Sequence, residues 1–307
     1  MKKILLSLLL SMILIGCQTN QKTKILIPEG IPSIALGDML DNESYDCSVL
    51  ANADVITSEL VQSNYDIIIA PITAGAKLYL QGASSYQLAA ILTFNNLYIF
   101  ARNDAPLNHI SDLNNATIAA FGYNNTPDII LRYALDVHEI KANIVYEASV
   151  HDVLSNRLLI DDTIDYFLLT EPVLSMVTMK LALEGTIFSL HEALFGDSNE
   201  IPQAGVFIHQ RVFNKELLLS NIANHVAVMQ NDIEGHVSKL MQLDKERYPL
   251  FSRLGNELLI ASIPRSEIRF VRVKDAKQML NDYFGLLNSY NRAILQGQLP
   301  NEAFYYE

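Results

Sequence analysis

The chain has no tryptophan, only two cysteines, and 13 glycines of which no two stand closer than seven positions. That spacing excludes every phosphate-cradling loop of the G-x-G type, and with it the nucleotide folds built on such loops. Two cysteines cannot make a disulfide scaffold or a four-thiolate zinc site. No two of the seven histidines stand at i, i+4, and none neighbours a cysteine, so no metal site is expected. G-x-S-x-G and H-E-x-x-H are missing as well, and no motif asks for a cofactor. Positive charge is scarce: 22 Lys+Arg stand against 34 Asp+Glu, for a formal net charge of −12. That sign repels phosphate backbones, so nucleic acid is not an expected partner. What remains is apolar material. The chain has 307 residues, 50% of them hydrophobic and 18% charged, which excludes disorder and, at about 150 residues per domain, suggests two lobes.

The start of the chain speaks to location. Met1-Lys2-Lys3 is a short basic opening, followed by an apolar run from Ile4 to Ile15 interrupted only by Ser7 and Ser11. A run of this length suits a signal-peptide core and cannot cross a bilayer core of about 30 Å as a helix. It ends in Leu14-Ile15-Gly16-Cys17, which resembles the lipobox of bacterial lipoproteins, where the cysteine is acylated and becomes the mature N-terminus. The expectation is a signal peptide over 1–16, lipidation at Cys17, a polar lipidated tether over 17–23, and an extracytoplasmic, membrane-anchored protein. Losing Lys2 and Lys3 takes the formal charge from −12 to −14. Cys47 then has no partner. Its strand-like setting, Tyr45 to Leu50, fits a buried thiol.

The body of the chain is punctuated in a recurring way. Short apolar runs end in proline or glycine and lead into helical patterns: Lys24–Pro28 into Ile31-Pro32, Asp66–Pro71, Thr117–Gly122 into Thr126-Pro127, and Asp165–Pro172. Such runs read as buried parallel strands, with proline at helix starts. Two units match most closely, 66–82 and 165–185, each Asp-strand-Pro-helix closed by a glycine. The fold class is therefore α/β, with two similar halves, each a mainly parallel sheet with helices on both faces. Extended stretches at 88–100 and 201–208 read as two crossover strands at a hinge. Lobe 1 is expected over 24–95 plus 205–307, and lobe 2 over 96–204. Helical periodicity covers 217–242 and 275–296, and 268–273 reads as a short strand or clamp. Asp161, Asp162 and Asp165 read as a solvated turn.

Ligands of such sheets lie beyond the carboxyl ends of the strands. The candidate ligand-binding residues are Glu29, Gly30, Ile31, Pro71, Thr73, Asn95 and Asn96 from one lobe, and Tyr123, Asn124, Asn125, Thr126 and Glu171 from the other. These loops contain no Arg or Lys but do contain Glu29 and Glu171. A bare anion is disfavoured there at close range. A small polar or amine-bearing molecule, or a heteroaromatic one stacked on Tyr123 or Phe94, fits better.

Three stretches resemble one family: Asp66 to Gly82 (DIIIAPITAGAKLYLQG), Thr117 to Leu135 (TIAAFGYNNTPDIILRYAL), and Ile263 to Phe304 with its Leu-Pro and Phe-Tyr-Tyr ending. With the lipobox and the two lobes, they are similar to the lipid-anchored substrate-binding proteins of bacterial ABC importers, in the group serving nitrate, sulfonate, taurine and thiamine-precursor uptake. The resemblance implies a periplasmic-binding-protein-like (type II) fold and a monomer. It also implies no catalytic residues, and an ABC permease with its ATPase as partner. The family's second-lobe loop is often richer in glycine and serine than Gly122-Tyr123-Asn124-Asn125-Thr126. A ligand-sensing lipoprotein that signals to a membrane receptor is the alternative. An enzyme on the same fold is a third, and export argues against it.

Overall fold

The computed structural model describes residues 22–195 and 200–307. The signal-like run and Cys17 lie outside the described residues. Among the described residues eleven strands form two sheets. The first contains β1 (Thr23–Pro28), β2 (Tyr45–Leu50), β3 (Ile67–Pro71), β4 (Tyr86–Thr93), β10 (Ala204–His209) and β11 (Ile268–Arg272), in the order β11-β4-β10-β3-β1-β2. The second contains β5 (Tyr98–Arg102), β6 (Thr117–Phe121), β7 (Asn143–Glu147), β8 (Tyr166–Leu169) and β9 (Gly185–Ser189), in the order β7-β6-β8-β5-β9.

Both sheets are mixed. β2-β1-β3 and β7-β6-β8 pair in parallel, whereas β10 lies antiparallel to both β3 and β4, and β5 antiparallel to both β8 and β9. The parallel character expected of each lobe thus belongs to the strands away from the hinge. The strands that enter a lobe from the other one run against their neighbours, because a chain arriving through the hinge starts at the end where the parallel strands finish.

Continuous apolar runs bury both faces of each sheet, as parallel strands covered on two sides require. Ile25, Ile27, Ile67 and Ile69 face one core. Leu26 and Ile68 face another, which continues through Ile118, Ala120 and Leu168 of the second sheet. Ala119, Phe167 and Leu169 face a third core. The middle core spans both lobes and takes in Tyr283, Phe284 and Phe304 of the C-terminal segment. Cys47 is buried in the first lobe, and burial pushes its thiol up to about 12, so it is an inert apolar side chain.

Several helix limits differ from expectation. The periodic stretch 217–242 is two helices, Lys215–Asn231 and Ile233–Leu240, because Asp232 leaves helical geometry and its carboxylate accepts the Gly235 N–H at 2.8 Å. The last long helix is Val273–Tyr290. The helix after Pro172 ends at Lys180 rather than at Gly185. Gly185 instead opens β9, where a Cβ would stand 2.2 Å from the Ala101 carbonyl oxygen, so only glycine fits beside β5. Not every histidine is a surface residue: His236 is buried, with Nε2 2.7 Å from the Ile34 carbonyl.

Candidate ligand site between the lobes

The parallel strands place their carboxyl ends at the hinge side of each lobe, and the candidate residues follow from there. In the first lobe Glu29 and Gly30 sit between β1 and the short helix Ile31–Ala35. Gly30 has φ 114°, a region closed to side-chain-bearing residues in practice, and it turns the chain sharply after the strand. Ser33 closes the turn: its Oγ donates to the Gly30 carbonyl at 2.9 Å and accepts the Gly30 N–H at 3.2 Å. Ile31 is buried. Pro71 is exposed and Thr73 half-buried at the start of the helix Ile72–Leu80, whose first N–H donates to the Gln203 carbonyl at 2.9 Å.

In the second lobe the chain leaves β6 through Gly122 to Asn125 and enters the helix Thr126–Val137. Tyr123 is 61% exposed, its ring tilted against Tyr146 at 4.9 Å between centroids. Asn124 takes φ 58°, which asparagine tolerates better than most residues. Asp128 holds this loop from beneath. Fully buried, it accepts the Asn124 N–H at 2.7 Å, a fork from Arg132 at 2.6 and 2.7 Å, and the Tyr146 hydroxyl. Burial and the adjacent carboxylate push the Tyr146 phenol up, so it remains a donor. Asn125 donates from Nδ2 to the Tyr123 carbonyl at 3.3 Å. Thr126 Oγ1 lies 2.9 Å from the hydroxyl of Tyr283, on the helix Val273–Tyr290.

Asn95 and Asn96 belong to the hinge itself. Asn95 donates its N–H to the Ile201 carbonyl and accepts the Ile201 N–H on Oδ1, both at 2.9 Å. Asn96 Oδ1 accepts the Glu171 N–H at 2.8 Å. The Asn95 side-chain oxygen is thus taken by the return crossing at Ile201, and that of Asn96 by the backbone of Glu171. Phe94 is also withdrawn from the site. It is fully buried, and the Arg269 guanidinium covers its ring at 4.4 Å, so its face is closed to the heteroaromatic stacking expected there.

The largest correction concerns charge. The loops were expected to hold two unaccompanied carboxylates, yet each has an arginine from the C-terminal helices. Arg265, the last residue of the helix Asn256–Arg265, donates from Nε to Glu171 Oε1 at 2.5 Å and from Nη2 to Ser175 Oγ at 2.7 Å. Glu171 Oε2 accepts the Ser175 N–H at 3.0 Å, so a buried carboxylate is shared between a helix start and a guanidinium from the other lobe. Tyr98 donates its hydroxyl to the Arg265 carbonyl at 2.7 Å, and burial pushes that phenol up. Arg253 reaches Glu29 at 2.5 Å, and the Arg253 carbonyl accepts from Lys180 Nζ at 3.2 Å. Sequence reasoning missed Arg253, Arg265, Ser175, Tyr98 and Tyr283. The signal available was Arg265 and Arg269 within the Ile263–Phe304 stretch that carried the family resemblance.

The rims are therefore lined by paired charge and amide groups. The electrostatic case against an anion, which rested on bare carboxylates, no longer holds. Beside the hinge a cavity of about 210 Å³ lies between the helices Thr126–Val137 and Val273–Tyr290, lined by Ile130, Tyr133, Ile201, Met279 and Tyr283. Among the described residues no group of three or more His, Cys, Asp or Glu is placed to hold a metal ion.

Known structures share this fold. An ABC transporter protein from Parabacteroides distasonis superimposes with a TM-score of 0.69 at 20% identity, over 93% of this chain and 99% of its own. The periplasmic aliphatic sulphonate-binding protein SsuA of Escherichia coli gives 0.67 at 12% identity, over 92% of each chain. A ligand-binding component of an ABC-type import system from Staphylococcus aureus, with zinc bound, gives 0.64 at 13% identity, over 92% of this chain and 98% of that one. The chain has the fold of these binding proteins. No family model and no curated protein matches its sequence. The shared fold is two mixed sheets with helices on both faces. In this chain no helix among the described residues is long and apolar enough to cross a membrane.

Proposed function

We propose that this chain is an extracytoplasmic solute-binding protein, anchored by lipid on Cys17. It captures one small polar molecule between its lobes and hands it to an ABC permease driven by an ATPase. In this reading the first lobe comprises 24–95 with 205–307, the second 96–204, and the protein acts as a monomer without covalent chemistry. The observation that carries it is the Glu171–Arg265–Ser175 contact, an ion pair made across the lobes where the strand ends converge. A molecule held between the rims touches groups from both lobes, so it binds the closed form more tightly than the open one and shifts the population toward closure. Tyr123, Asn124, Asn125 and Thr126 face it from one side and Glu29, Gly30, Pro71 and Thr73 from the other. Asn95, Asn96 and Ile31 set the geometry.

Native mass spectrometry of the purified protein tests for a co-purifying small molecule. A thermal-shift panel of sulfonates, pyrimidines, amines and amino acids then identifies the class. Ligand at about 100 times Kd adds about 2.7 kcal/mol to stability. If no small molecule in either experiment binds, or if the one that binds is indifferent to Asn125→Ala, Thr126→Ala and Tyr123→Ala, this reading is wrong.

A further inference from the structure

Phe213 is the one large apolar side chain among the described residues that is 100% exposed. Scattered surface leucines are ordinary, but a whole aromatic ring in water at a loop tip marks a surface that meets something apolar. Its place follows from strand register. β10 runs against β3, with Ala204 opposite Pro71 and Ile208 opposite Ile67, so the loop after β10 lies at the end of the first sheet remote from the candidate site. The start of β1 lies at the same end, since Ile25 is opposite Ile67. Asp66 joins the two. The Lys24 N–H donates to its Oδ2 at 3.0 Å, and Arg211 Nε to its Oδ1 at 3.1 Å. Arg211 also donates to the carbonyls of Ser63 and Tyr65, at 2.6 and 2.7 Å, which fixes the base of the Phe213 loop. Leu217, in the first turn of the helix Lys215–Asn231 that follows Phe213, is 60% exposed, and Val61, beside the Ser63 turn, is 48% exposed.

By topology these exposed apolar side chains stand at the end of the first sheet where the chain enters the fold. Ahead of it stand the apolar run Ile4–Ile15 and Cys17. Four residues stand between Cys17 and Lys22, so the two are at most about 18 Å apart even when the chain is fully extended. We infer that this end of the first lobe, with Phe213 at its tip, rests in the interface of the lipid bilayer that anchors the chain. The inference rests on reading Cys17 as the lipid-bearing residue. Local charge agrees with it. Segments 22–24, 43–46, 59–66 and 209–216 carry Lys22, Lys24, Arg211 and Lys215 against Glu43, Asp46, Glu59, Asp66 and Glu216, one net negative charge on a chain whose net charge is −12. A nearly neutral, aromatic-tipped end approaches a bilayer with less repulsion than the rest of the surface meets.

The absence of tryptophan supplies the test, because Phe213→Trp creates the only indole in the chain. The full-length variant, with its native N-terminus, is reconstituted into phosphatidylcholine vesicles made with or without brominated acyl chains. Blue-shifted emission, quenched by about half by the brominated lipid, is expected for an interfacial ring. Leu217→Trp gives the same result to a smaller degree and serves if the first variant folds poorly. Ile160→Trp, at a position 73% exposed on the second lobe, emits as in water and is unquenched. If Phe213→Trp and Leu217→Trp are quenched no more than Ile160→Trp, the membrane contact is refuted. Mass spectrometry of the N-terminal peptide from the same sample reports on Cys17 separately. Lipid present with an indole in water refutes the contact and leaves the anchor standing. Lipid absent with quenching on added vesicles supports the contact and removes the anchor, and lipid absent without quenching removes both.

Discussion

The units 66–82 and 165–185 share a pattern in sequence and diverge in structure. The first makes a regular helix, Ile72–Leu80, and closes at Gly82 with φ 67°. It packs inside its own lobe: a Cβ on Gly75 would stand 2.1 Å from the Phe207 ring, so the helix lies directly on β10. The second makes one α turn, Val173–Ser175, and continues with wider π-type turns over Met176–Lys180. Its bonds go to the other lobe, through Glu171 and Ser175 to Arg265 and through Lys180 to the Arg253 carbonyl. One unit is scaffold and the other is contact surface, and irregular helical turns fall on the contact side, where they are commonly found.

Substitutions that perturb each unit at its own contact sharpen that contrast. The largest effect is expected from Arg265→Ala, which leaves the buried Glu171 carboxylate without its guanidinium. Removing one member of a buried pair costs about 3–5 kcal/mol, and with Arg265 itself 37% exposed the lower end applies, about 3 kcal/mol by chemical denaturation. Arg265→Lys recovers part of it, because charge is kept while the fork to Ser175 is lost. Next comes Gly75→Val, which overpacks the first lobe by about 2 kcal/mol and leaves the affinity of the folded protein for its ligand unchanged. A ligand affinity that falls with Gly75→Val and not with Arg265→Ala would reverse the assignment of scaffold and contact surface.

Acid comes third. Burial holds the imidazoles of His209 and His225, both in the first lobe, below their ordinary range. Their folded values are below the unfolded one, so the stability they contribute is present above about pH 6.5 and is lost as pH falls from there through the lower folded values. Melting temperatures between pH 7.5 and 5 therefore decline, and less steeply in His225→Gln. The smallest effect belongs to Arg253→Ala. Its pair with Glu29 is on a side chain 63% exposed, and the change stays within about 0.5 kcal/mol.

Much of the framework was legible before any coordinates. β1, β3, β6 and β8 are short apolar runs ending in proline or glycine, and local pattern alone places them, together with the candidate loops that follow. The alternation Ile25-Leu26-Ile27 and Ile67-Ile68-Ile69 sends neighbours to opposite cores, and only a sheet covered on both faces satisfies it. Strand direction at the hinge was not legible, because the pairing of β10 with β3 and β4 joins segments more than a hundred residues apart. For the same reason Arg253 and Arg265 were invisible beside Glu29 and Glu171. Nothing local to Glu171 announces a guanidinium delivered from 94 residues further on. The break at Asp232 was closer to hand, since an aspartate before Ile-Glu-Gly can cap a new helix as readily as continue an old one. Phe94 misled because an aromatic beside a polar break looks like a stacking platform, whereas its ring serves as a buried seat for Arg269.

The account turns on one molecule seated between the rims and holding the lobes together. Small-angle scattering of the purified protein, with and without a saturating ligand taken from the thermal-shift panel, tests this directly. A smaller radius of gyration in the bound state is predicted, because contacts to both lobes favour closure. Superimposable curves for free protein and for protein with the ligand demonstrably bound would contradict it.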